Sequence, residues 1–364
     1  MYIWQLCKHI IMSNKRVTLQ DIANELGLSR NTVSKAMNNT GSIAEETKKK
    51  IFKAAAEMGY KEFAQLPEIL PVPKASTIFA TQDSKEIALF THSLLGSSHF
   101  GSKLLDSFQK KIGEFGYTLS VYMIRDYELE HLVYPANFNS ERCAGILCLE
   151  IFSEPYSRFL CNQSIPLLFV DTVVNHFNLN LAADLLYMEN KTSTYIMLKS
   201  IIDQGYKNIS FVGDYNHCQS FYERWSAYCQ VMTDQNIAVQ REACILEDDS
   251  SPYHDVAWLS NRIRLLPSLP DAFFCANDYL AICMLKALKA LNLSVPSDIM
   301  VCGFDNSPEA TIIEPSLTTV KIPSSAMGFA AAEMLLSRIG HKEMPYRTTY
   351  IGTDVIYRGS TKRR

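Results

Sequence analysis

At 364 residues the chain exceeds one small domain and suits two or three, and a hydrophobic fraction of 47% excludes a disordered chain. No run approaches the roughly 18 to 20 apolar residues that span a bilayer, and the opening stretch to Met12 is broken by Lys8 and His9 without a small-residue cleavage site, so a cytoplasmic protein with no membrane partner is expected. The formal net charge of −3 is near neutral as a total, but residues 1–62 carry ten Lys/Arg against six acids, net +4, which leaves −7 for the rest; a basic head on an acidic body suits a phosphate-contacting module joined to a module for a neutral ligand.

Residues 1–12 are expected to be a disordered or mis-assigned extension, since Met12 directly precedes the first patterned segment. Residues 13–60 form the head. Thr18 can cap a first helix, with Asp21 reaching back from the third helical position, and Leu19, Ile22, Ala23 and Leu26 mark one face. Gly27 supplies the left-handed residue that ends it. Ser29 caps a second helix, Arg30 to Met37, with Val33, Ala36 and Met37 turned inward. A third helix starts near Ser42 to Glu46 and buries Ile51, Ala54, Ala55 and Met58. Ser42 with Glu45 can form its capping box, because Ala44 has no side-chain acceptor.

Residues 61–86 read as a linker, with Pro67, Pro71 and Pro73 among polar residues. Glu62 to Leu66 offers barely one helical turn before Pro67, which disfavours a helix there.

From 87 onward, short apolar runs alternate with amphipathic helices: IALF at 87–90, AGILCLE at 144–150, PLLFVD at 166–171, ISFVGD at 209–214, DAFFCAND at 271–278 and IMVCGFD at 299–305. Such alternation predicts parallel sheets covered by helices, and its length predicts two lobes over 87–361, with a ligand cleft at the strand C-terminal ends. The first lobe is expected over about 87–187 and 322–346, the second over about 188–321 and 347–361. Ten cysteines without a CxxC pair or a metal-caging spacing argue for reduced thiols, no disulfide framework and no metal.

The string TLQDIANELGLSRNTVSKAMNNTGSIAEETKKKIFKAAAEMGY, residues 18–60, resembles the DNA-binding domain of the lactose-repressor/galactose-repressor family in its Gly-Leu-Ser turn, its Thr32-Val33-Ser34 step, Asn38 and its closing Met-Gly-Tyr. The resemblance implies an all-α helix-turn-helix domain whose second helix enters a major groove about 12 Å wide. Arg30, Asn31 and Lys35 are then expected to read base edges. Ser29, Thr32, Ser34 and Asn38 are expected to hold phosphates or buttress the turn, and Thr18 to act chiefly as a helix cap.

The likeness continues through 270–306, through PSLTTVKIPSSAMGFAAAEMLL and into YRGST at 357–361, matching the family's periplasmic-binding-protein-like, two-lobed α/β effector domain. It implies that Asp278, after the Asn-Asp step, and Arg224 hold the effector, with His99 and Phe100 bringing an aromatic face. A carboxylate with a guanidinium suits a neutral, hydroxyl-rich ligand, so a sugar is the expected effector. Asp171 and Asp305, which also end apolar runs, read as structural caps. The usual Pro-Asn and Ala-Arg hinge signature is missing after Tyr60, which leaves base reading mainly to the major-groove residues. The expected protein is a cytoplasmic, homodimeric transcription regulator, a repressor on operator DNA, with no catalytic residue and no cofactor. A transporter's solute-binding protein would need a signal peptide and no helix-turn-helix. An enzyme of sugar or nucleotide metabolism on the same body would need catalytic groups, and no GxSxG, Walker, HExxH or GxGxxG pattern is present.

Overall fold

The computed structural model describes residues 17–37, 43–58, 86–92, 99–174 and 181–362. The chain divides into two compact units, Met1–Gln82 and Asp83–Arg364. The expected extension at 1–12, the linker and its Glu62–Leu66 turn, and the capping role of Ser42 lie outside the described residues.

In the first unit, α1 (Leu19–Leu26), α2 (Arg30–Met37) and α3 (Glu45–Glu57) pack around Ile22, Ala23, Val33, Ala36, Ile51 and Ala55. The local signals act as their chemistry predicts. Thr18 and Asp21 form a reciprocal capping box, and Gly27 closes α1 at φ 63°. Ser29 Oγ accepts from the Thr32 amide at 3.0 Å, satisfying an orphan donor of α2.

The second unit has two lobes. Its larger sheet has the order β10-β5-β4-β3-β1-β2, formed by β1 (Glu86–Thr91), β2 (Thr118–Met123), β3 (Cys143–Leu149), β4 (Leu167–Val170), β5 (Asp184–Met188) and β10 (Thr348–Ile351), all parallel. The smaller sheet, β6 (Ile209–Val212), β7 (Ala272–Cys275) and β8 (Met300–Cys302), is also parallel. It is extended by bridges Val212↔Ile245 and Cys302↔Thr318, beside the antiparallel pair β9 (Thr319–Lys321) and β11 (Asp354–Ile356). Strands β1, β3, β4, β5, β6, β7 and β8 are buried on both faces, whereas β2 and β10 at the edges of the larger sheet and β11 are half-buried or exposed.

The chain passes between lobes after β5, after β9 and after β10. The third crossing corrects the expected boundary at 347: β10 pairs with β5, so the first lobe keeps the chain to 351. Thr348–Ile351 carries alternating exposure at a sheet edge, a pattern that does not say which sheet it joins.

Helix α12 (Ser324–Gly340) packs against α4 (His99–Gly113) on the larger sheet, and Gly328 makes that approach possible. A Cβ there would overlap the Leu104 carbonyl oxygen and lie 2.9 Å from Ser107 Cβ. Gly328→Ala gains about 0.5–1 kcal/mol of helix propensity, but a backbone oxygen cannot rotate away. The net expectation is a loss of about 1–3 kcal/mol in urea unfolding; an unchanged midpoint would show that the two helices part freely. Among the described residues, no helix is long and apolar enough to cross a membrane.

Candidate functional site

On the first unit, α2 has two faces. Val33, Ala36 and Met37 are buried, whereas Arg30, Asn31 and Lys35 are exposed and Thr32 and Ser34 half-buried. The exposed trio has no hydrogen-bond partner among the described residues, so its donors and acceptors are available to base edges. Ser29 and Thr32 hold each other, 2.8 Å between hydroxyl oxygens, which fits buttressing of the turn. The Thr18 hydroxyl is engaged twice by Asp21, donating to its carboxylate at 2.7 Å and accepting from its amide at 3.4 Å, and the Thr18 amide donates to the same carboxylate at 2.8 Å. Asn38 lies outside the described residues.

On the second unit, a cavity of about 1080 Å³ opens between the lobes at the C-terminal ends of their strands. Four non-glycine residues around it adopt left-handed φ: Glu150 (57°), Asp171 (62°), Asp305 (121°) and Asn306 (55°). Strained backbone of this kind persists where surrounding structure fixes it, and it turns three carboxylates into the cleft.

The sequence-predicted pair meets here. Arg224, on α8 (Gln219–Asp234), is 2% exposed; its Nε donates to Asn190 Oδ1 at 3.0 Å and its Nη1 to the Ala276 carbonyl at 2.7 Å. The guanidinium lies 3.6 Å from the centroid of Phe304, a cation–π contact that fixes its plane. Asp278 starts α10 (Asp278–Ala290), which Asn277 caps by accepting from the Leu280 amide. Its Oδ1 accepts from Thr319 Oγ1 at 2.6 Å and its Oδ2 from the Ser307 amide at 2.8 Å. Gly303 leaves room for it, since a Cβ there would overlap Oδ1. Burial pushes the Asp278 carboxyl up to about 6, against the lowering effect of those two hydrogen bonds and of Arg224. Phe100 on α4 is half-buried on the cavity wall; His99 begins the same helix, and its side chain lies outside the described residues.

Three arrangements were not legible. The carboxylate nearest Arg224 is Asp305, Oδ1 to Nη1 3.8 Å, a residue expected to be a cap. Burial raises the Asp305 carboxyl, and Asp278 and Glu150 add to this against Arg224. Asp171 does cap, but across the lobes: its Oδ1 accepts from the Thr172 amide at 2.8 Å and from the Ser220 amide of α8 at 3.2 Å, while it lines the cavity. Glu150 and Phe152 after β3, and His217 before α8, also reach the wall. The signal for the acids was present, because AGILCLE, PLLFVD and IMVCGFD each end in one, at the strand ends where ligands bind in open α/β sheets. His217 carried no such signal.

A head with an outward-facing polar recognition helix and a two-lobed body closing on a polar cleft together define a DNA-binding regulator controlled by a small ligand. Residues 18–62 match the bacterial regulatory proteins of the lacI family, and residues 198–361 match the periplasmic binding protein-like domain. The HTH-type transcriptional repressor PurR of Vibrio campbellii is 28% identical over 349 residues, covering 95% of this chain and 99% of that protein. The probable HTH-type transcriptional repressor ExuR of Bacillus subtilis is 28% identical over 354 residues, with the same shares. Among solved structures, a transcriptional regulator CelR–cellobiose complex aligns with TM-score 0.68 at 21% identity, covering 95% of this chain and all of that one. The lac repressor dimer bound to operator and the anti-inducer ONPF aligns with TM-score 0.62 at 20% identity, covering 95% and 99%. The chain thus joins a lacI-family DNA-binding domain to a periplasmic binding protein-like domain, the make-up of a ligand-controlled DNA-binding regulator.

Proposed function

We propose that the chain is a homodimeric repressor that binds an operator of two half-sites and is controlled by a sugar in its cleft. The division proposed is a head over 13–60, a linker over 61–86 and an effector domain over 87–361, with the third crossing moved to follow 351. Arg30, Asn31 and Lys35 read bases; Ser29, Thr32, Ser34 and Asn38 position the helix on phosphates. Arg224 and Asp278 hold the sugar, and His99 and Phe100 supply its apolar face. The ligand is bound and released unchanged.

The observation that carries this reading is the cavity of about 1080 Å³ with Arg224 and Asp278 on its wall, in a chain whose α2 turns Arg30, Asn31 and Lys35 outward. A guanidinium fork and carboxylates match vicinal hydroxyls, and a relative that is a transcriptional repressor, together with a similarly folded transcriptional regulator solved with cellobiose, supports the same reading. Two-fold proteins bind two-fold sites because each recognition helix needs its own groove face.

The test is binding to operators selected from random duplexes. Arg30→Ala and Lys35→Ala are expected to relax preference at defined base positions by about 1–3 kcal/mol each. Lys48→Ala is expected to weaken all sequences alike and to flatten the salt dependence. Equal losses on specific and random DNA for all three changes would refute the division of roles, and a monomer without sequence preference would refute the reading as a whole.

A further inference from the structure

We propose that His217, held by Asp249, is a further effector-contacting residue and that it selects a hydroxyl-rich ligand bearing an anionic oxygen group, a carboxylate or a phosphate. This inference rests on the cleft being the effector site and adds a charge to the neutral ligand expected from the sequence.

His217 lies on the cavity wall in the segment between β6 and α8. Its Nδ1 is 2.6 Å from Asp249 Oδ2, so the carboxylate fixes a proton on Nδ1 and the ring's orientation. The ring is further held edge-on to Phe152 of the opposite lobe, centroids 5.1 Å apart, and tilted against Phe221, 4.8 Å away. Its Nε2 has no hydrogen-bond partner among the described residues. A clamped imidazole with one nitrogen free, facing a cavity, is built to make one directed bond.

The charge state decides which bond. Burial alone would lower the His217 pKa, but the hydrogen bond and charge of Asp249 outweigh it, with Asp171 from the end of β4 and Asp214 from the end of β6 acting in the same direction. The other groups packed on the ring, Phe152 and Phe221, are uncharged, and burial keeps the adjacent Cys218 thiol protonated. In the charged form that Asp249 favours, His217 donates from Nε2 and requires an acceptor.

The rest of the wall favours an acceptor that is charged. Asp171 takes two amides, Asp278 a hydroxyl and an amide, and Asp305 faces Arg224, while Glu150 and Glu309 are engaged as well. By contrast, Lys103, Lys286 and Lys321 line the same cavity without an ion-pair partner among the described residues. Asp171 and Asp278 are thus hydrogen-bonded within the protein and Asp305 faces Arg224, whereas Lys103 from one lobe has no ion-pair partner and His217 from the other keeps its Nε2 unbonded among the described residues. A charge-assisted bond to an anion is shorter and stronger than one to a hydroxyl.

The test uses the full chain and calorimetric titration with glucose, glucuronate and glucose 6-phosphate and with the galactose counterparts. At least one acid or phosphate is expected to bind about tenfold or more tighter than its parent hexose. His217→Gln is expected to erase that preference, and Asp249→Asn, which leaves the imidazole in place, to reduce it. The preference is expected to weaken as pH rises through the raised His217 pKa, because His217 is charged below it and loses the proton above it. The ratio between carboxylate and phosphate tells the two sources apart. A hexose bound as tightly as its acid, or an anion preference unchanged in both variants, overturns the inference. Arg224→Ala separates the two readings: if it abolishes hexose binding while His217→Gln changes nothing, the sugar cleft stands and this inference fails. If ligands bind with no dependence on Arg224 or His217, both fail. A chain that takes none of the six ligands overturns the inference as well.

Discussion

Replacing Arg224 by alanine is expected to lower affinity for the effector by about 2–5 kcal/mol, or about 30-fold to several thousandfold, without abolishing DNA binding in the absence of ligand. The size of the loss comes from what the guanidinium leaves behind. Arg224 is the cation beside Asp305, the donor to Asn190 Oδ1 and the donor to the Ala276 carbonyl, all within a wall where it is itself 2% exposed. Its removal orphans those acceptors and drops the ligand's hydrogen bonds at the same time. Arg224→Lys is not expected to restore affinity, since an ammonium cannot lie flat on Phe304 and address Asn190 and Ala276 together. Calorimetry on a sugar that binds the unaltered chain checks this. Undiminished affinity in both Arg224→Ala and Asp278→Ala would remove the pair from the pocket.

The largest loss of stability is expected at Asp184, at the first residue of β5. Its side chain is fully buried and receives Arg338 Nε at 3.1 Å, Arg338 Nη2 at 2.9 Å, Arg347 Nη2 at 3.2 Å and the Arg347 amide at 2.7 Å. One carboxylate thus joins β5 to the end of α12 and to the segment that leads into β10. Asp184→Ala leaves the buried Arg338 guanidinium without its counter-charge, an expected loss of about 3–5 kcal/mol in urea or thermal unfolding. Burial alone would raise the Asp184 carboxyl, but the hydrogen bonds from Arg338 and Arg347 outweigh it and hold it below the ordinary carboxylate range. A depressed native pKa contributes stability that is complete above the unfolded value of about 3.9 and is lost as pH falls through the native value. The difference between the unaltered chain and Asp184→Asn should therefore be constant near neutrality and shrink in acid. A gap that widened below about pH 4 would contradict the assignment.

Several elements were legible because their determinants are local. The Thr18 capping box, the Gly27 stop and the Ser29 cap need only residues within a turn of one another, and each forms as its chemistry predicts. The apolar runs located β1, β3, β4, β6, β7 and β8, because a strand buried on both faces must be apolar throughout. They did not locate β2, whose side chains are mostly half-buried or exposed at a sheet edge, or β10, whose partner β5 lies some 160 positions earlier in the chain.

The sequence by itself determined the class of the molecule: a helix-turn-helix head, a two-lobed body, outward Arg30, Asn31 and Lys35, and the placing of Arg224, Asp278 and Phe100 on one inter-lobe cavity. Those features follow from short-range periodicity, capping and a long pattern shared with relatives. Only the tertiary structure decided which acid stands beside Arg224, that Asp171 caps a helix of the other lobe, and that His217, clamped by Asp249 and flanked by Phe152 and Phe221, faces the cavity. The physical reason is the range of the interactions. A cap or an amphipathic face is settled by neighbours within one turn, whereas the charge and hydrogen bonding of a cleft residue are set by groups from strands and loops that meet only when both lobes have folded and the chain has crossed between them.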